Sequence, residues 1–106
     1  MVRKIVASKV KIKAKNIRRD DVIRQTEAHH ASKLIAKKDV EIEIRKQYPS
    51  QKGDSERPPV GTKISGDHAT ISARKITGLQ KIRGEYHVNA EDNVIAHIRS
   101  KKEAKK

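Results

Sequence analysis

Isoleucine and valine dominate the apolar residues of this chain: 13 Ile and 8 Val stand against 2 Leu, with no Phe and no Trp. β-branched side chains lose rotamer freedom in helices and pack well on pleated surfaces. A core drawn from them favours strand over helix. With Tyr48 and Tyr86 as the two aromatics, that core is thin and aliphatic. The 106 residues fit a single domain, which we place at 1–99, with a basic tail at 100–106.

Several classes are excluded at the outset. A membrane span needs ~20 apolar residues, and the unbroken aliphatic runs are triplets such as Ile5-Val6-Ala7. The basic N-terminus has no apolar stretch of the secretory kind. The absence of cysteine rules out disulfide frameworks, thiol chemistry and Cys-ligated zinc, and suits a reducing, cytoplasmic setting. No P-loop, GxSxG or HExxH motif is present, and the adjacent His29 and His30 do not share a helix face. His68 reads as a solvated loop residue. We expect no metal, no cofactor, no membrane partner and no small-molecule substrate.

Periodicity organises the rest. Residues 2–15 alternate: Val6, Val10, Ile12 and Ala14 fall on one face, and Lys9, Lys11, Lys13 and Lys15 on the other, which is the pattern of a half-buried strand. Residues 17–37 read as a helix capped by Asn16, Asp20 or Asp21, with Ile23, Ala31, Leu34 and Ile35 as its apolar stripe and His30 beside it. Lys33, Lys37 and Lys38 then suit its C-terminal end.

Alternation returns at 39–48, where Val40, Ile42 and Ile44 face inward. Residues 49–68 hold all three prolines and three of the five glycines, and so read as a long loop. Residues 69–77 fit either a strand or a short helix. Residues 84–99 read as a hairpin turning at Asn89–Asn93. No internal repeat is evident. The expected fold is α+β: one main helix on a mostly antiparallel sheet of four or five strands, in the order β-α-β-loop-β-β-β.

Charge points to the partner. Lys plus Arg is 26 against 13 for Asp plus Glu, a net +13. Residues 1–19 hold eight cations and no acid. Four lysines in a row repel one another, and a polyanion laid against them relieves the repulsion and releases counterions. Lysine on an edge strand also serves to block aggregation. Two tyrosines do not make a base-stacking platform, so the expected contact is with backbone phosphates. RNA is favoured over DNA, in the manner of ribosome-associated proteins. The expected binding residues are Lys9, Lys11, Lys13, Lys15, Arg18 and Arg19, with a second patch of Arg74, Lys75, Lys81, Arg83 and Arg99.

Two other readings use the C-terminal third. Taken as a helix, 69–83 would expose Arg74 and Lys75 ahead of a basic hairpin, the plan of a winged-helix DNA-binding regulator. It lacks the preceding pair of short helices. Taken as a hairpin, 84–99 would bring Glu85, His87 and His97 to one face with Arg83 and Arg99. That set suits metal-independent RNA cleavage and is the one enzymatic activity the sequence leaves open.

Overall fold

The computed structural model describes residues 2–20, 32–47 and 57–99. All regular structure in them is strand: β1 (Val2–Ala14), β2 (Asn16–Asp20), β3 (Ser32–Lys46), β4 (Lys63–Ala73), β5 (Lys75–Ile82) and β6 (Glu85–Arg99). The α+β expectation is overturned. The described parts of 17–37 are strand, and Leu34 and Ala36 alternate into the core where an i, i+3, i+4 stripe was expected. Ile23, His29, His30 and Ala31 lie outside the described residues, as do Tyr48 and the basic tail.

Two further expectations are corrected. β4 begins at Lys63, inside the expected loop, and carries His68 within the strand. Residues 69–83 are strand, a bend at Arg74, strand again to Ile82 and the turn residue Arg83, so the winged-helix reading loses its recognition helix.

Every pairing is antiparallel. β1, β3, β4 and β6 close into a four-stranded barrel through the β1–β6 seam, and β2 and β5 are added to β3 and β6. Register breaks at Ala7/Lys9 in β1 and Lys37/Val40 in β3 bend the ring strands. Across the breaks β3 keeps β4 and exchanges β2 for β1, while β1 keeps β6 and gains β3. The ring thereby divides into two half-sheets of five segments each. In the first, the order is β2, the start of β3, the end of β4, the end of β6 and the start of β1. In the second, it is β5, the start of β6, the end of β1, the end of β3 and the start of β4.

The two halves of the chain repeat one another. Ile5, Ala7, Val10, Ile12, Ala14 and Ile17 are buried at the same spacing as Ile64, Gly66, Ala69, Ile71, Ala73 and Ile76. Leu34, Ala36, Val40, Ile42 and Ile44 match Val88, Ala90, Val94, Ala96 and Ile98 in the same way. The backbone agrees. Lys15 N–H donates to the Lys38 carbonyl at 2.9 Å, and Arg74 N–H to the Asp92 carbonyl at 2.9 Å. The positive φ values of Lys38 and Asp39 recur at Asp92 and Asn93. The residues read as a turn at Asn89–Asn93 are thus a bulge inside one long strand. A structural repeat is present that the sequence reading did not find.

The buried apolar residues form one cluster between the half-sheets, and no polar or charged residue is fully buried among the described residues. Gly66 marks the tightest approach: a Cβ there would lie 2.5 Å from the Arg99 carbonyl oxygen and 2.6 Å from Ile98.

Candidate nucleic-acid interface

Alternation about the shared core fixes which side chains point outward, and the register places them in rows. Lys9, Lys11 and Lys13 lie on the middle segment of the second half-sheet, extended as expected, and Lys15 follows at the bend after β1. Their surroundings differ from the expectation of a row unrelieved by acid. Lys9 meets Glu91 of β6 at 3.9 Å, Lys13 meets Glu41 of β3 at 3.3 Å, and Lys15 meets Asp39 at 3.5 Å. The acids come from strands distant in sequence, so a count along residues 1–19 does not see them. Glu43 pairs with Arg45 on the same strand at 3.3 Å. Lys11 lies in register with Asn89 and Glu43 and makes no ion pair among the described residues. Between these side chains lies a depression of about 300 Å³ lined by Lys9, Lys11, Arg45, Gln80, His87 and Asn89 among others.

The first half-sheet carries a different pattern. One row across its five segments is Arg18, Ile35, Thr70, His97 and Lys4. The row beside it runs Asn16, Lys37, His68, Arg99 and Val2. On the other side run Asp20, Lys33, Ser72, Ile95 and Val6. Lys4, Arg18, Lys33, Lys37 and Arg99 are all exposed, and no ion pair among the described residues joins them to a carboxylate. Asp20, on the outer strand, is the one acid in these three rows.

The other expected residues are dispersed. Arg18 lies on the first half-sheet, and Arg19 is exposed on the same edge strand and already engaged. The second patch does not assemble. Arg74 is at the bend, Lys75 is in register with Glu91, Lys81 stands over the Tyr86 ring at 5.3 Å, and Arg83 is in the turn. Arg99 is on the other half-sheet.

The expected ribonuclease set also comes apart. Glu85 and His87 lie on the second half-sheet, where His87 is in register with Lys13. His97 lies on the first, beyond the bulge, in register with Lys4 and Thr70. The hairpin pairing that joined them does not exist. Sequence reasoning missed Lys4, Lys33 and Lys37 as members of the basic face of the first half-sheet. The signal that finds them is the alternation of Lys33, Ile35 and Lys37 against Leu34 and Ala36.

Among the described residues no group of His, Asp and Glu is arranged to hold a metal ion, and no helix is long and apolar enough to cross a membrane. No protein-family model, curated protein or solved structure matches this chain.

Proposed function

We propose that this protein binds nucleic acid through backbone phosphates, with structured RNA as the favoured partner, in a cytoplasmic setting. The observation that carries the reading is the outer face of the first half-sheet: five exposed cations with no carboxylate paired to them among the described residues. Like charges gathered on one face repel, and a polyanion converts that repulsion into attraction as counterions leave. The net charge of +13 supports the same reading at longer range. The composition fits a protein seated on folded RNA, such as that of the ribosome.

Lys9, Lys11, Lys13 and Lys15 contribute less, because three of the four already face carboxylates. Their pairing is exposed and is worth little to stability, but it cancels charge where a phosphate would approach.

The test compares two double variants by salt titration of RNA binding. Lys37→Ala with Arg99→Ala removes two cations from the first half-sheet and should flatten the dependence of log K on log salt by roughly 1.4–1.8 units. Lys13→Ala with Glu41→Ala removes a neutral pair from the second half-sheet and should leave the slope in place. Equal slopes for the native protein and the first variant would remove the assignment.

A further inference from the structure

The cations of the first half-sheet are not spread evenly. They stand in two flanks. Arg18, Lys33 and Lys37 lie on β2 and β3, and Arg99 and Lys4 on β6 and β1. Between them runs the end of β4, whose outward residues are His68, Thr70 and Ser72. The middle is therefore neutral and rich in hydrogen-bonding groups, and the flanks are positive.

Strand spacing sets the scale. Lys37 and Arg99 are separated by two spacings, ~10 Å, and Arg18 and Lys4 by four, ~19 Å. A single phosphate backbone would need one line of cations. Two parallel lines with a polar strip between them match two backbones on either side of a groove.

The kind of groove follows from the shape of the face. The minor groove of B-DNA is only about 6 Å wide, narrower than the flanks. Its major groove is about 12 Å wide but about 8.5 Å deep, out of reach of short side chains on a sheet. The minor groove of A-form RNA is wide and shallow, and displays 2′-hydroxyls that both donate and accept hydrogen bonds. Thr70 and Ser72 carry hydroxyls of the same dual character. Tyr86, the one tyrosine among the described residues, belongs to the second half-sheet beneath Lys81, so the rings this face offers are the imidazoles of His68 and His97, with no larger aromatic to build a base-stacking platform.

We infer that the first half-sheet lies across the minor groove of double-stranded RNA, with one cation flank on each phosphate backbone and Thr70 and Ser72 toward the 2′-hydroxyls. This rests on the phosphate-binding reading above and adds the duplex, the groove and the sugar.

The experiment measures affinity for three probes of one sequence, each about 20 nucleotides per strand: an RNA duplex, a DNA duplex and single-stranded RNA. The RNA duplex should bind best. Thr70→Val and Ser72→Ala should each weaken RNA-duplex binding by roughly fivefold, the worth of about one hydrogen bond. Neither should change DNA-duplex binding or the salt slope. Circular dichroism shows whether the variants remain folded, and Thr70→Ser, which keeps the hydroxyl, should retain native affinity.

Two results overturn the inference: single-stranded RNA binding as well as the duplex, or Thr70→Val weakening RNA and DNA duplexes alike. In either case the phosphate-binding reading stands provided Lys37→Ala with Arg99→Ala still flattens the salt slope. If that variant binds all three probes as the native protein does, both readings fall together.

Discussion

Lys13 and Lys37 are alike in composition and unlike in surroundings. Lys13 has Glu41 beside it on the neighbouring strand, whereas the outward cross-strand neighbours of Lys37 are Asn16 and His68. Individual residues are likewise unequal in the core. Ile71 is fully buried on the strand that runs through the middle of the first half-sheet. Ile71→Ala should cost about 2–5 kcal/mol in urea unfolding, because a cavity there has strands on both sides and little freedom to collapse. Gly66 is the opposite case, where there is too little room. Gly66→Ala drives a methyl group against the Arg99 carbonyl and Ile98 and should cost about 1–3 kcal/mol by the same measurement. Native stability in Gly66→Ala would show that β4 and β6 can separate there without loss.

The strands were unequally legible in the sequence. β1 and the second half of β3 announce themselves, since Val10, Ile12 and Ala14, and Val40, Ile42 and Ile44, alternate without interruption. The first half of β3 was hidden because Ala31, Leu34 and Ile35 happen to fall at helical spacing, and local propensity carries no information about pairing partners. The bulge of β6 was read as a turn for a physical reason: Asp and Asn tolerate positive φ in both settings, and only the register of β1 tells them apart. A basic surface was legible in kind, but not where its cations stand unpaired, because neutralising acids arrive from other strands. The tight turn between β5 and β6, Arg83–Gly84, has positive φ at both residues, as the hairpin twist demands. Arg83→Asn puts a residue suited to that region in place. It should raise the thermal midpoint slightly, by a few tenths of a kcal/mol in free energy. A lower midpoint would mean that the arginine side chain contributes something the backbone argument omits.

At the scale of the molecule, the two half-sheets share one architecture and divide the charge in opposite ways. The middle segment of the second carries lysines flanked by acids from β3 and β6. The middle segment of the first carries His68, Thr70 and Ser72 flanked by cations. The equivalent positions that agree between the halves are those facing the core, such as Ile12 with Ile71 and Ala14 with Ala73. Many of those facing solvent, such as Lys11 with Thr70 and Lys33 with His87, do not. This is why the repeat escaped a reading along the chain, where outward residues are half of what is seen. A folded state holding unpaired cations on one face should gain from any polyanion that covers it. An RNA duplex at a hundred times its dissociation constant should stabilise the fold by about 2.7 kcal/mol. Calorimetry would register this as a rise in the melting temperature, and 1 M salt should abolish it.

The seam between β1 and β6 joins the two ends of the described chain. A ribosome emits residues in order, so the first strand must wait for the last before its long edge is satisfied. The amino-terminal portion can pair β2 with β3 early, but its Ile5 and Ala7 have no lid until Ala96 and Ile98 emerge. Maturation of this barrel is therefore a late, all-at-once event, and a nascent chain stopped short of Val94 should be digested by protease along its whole length.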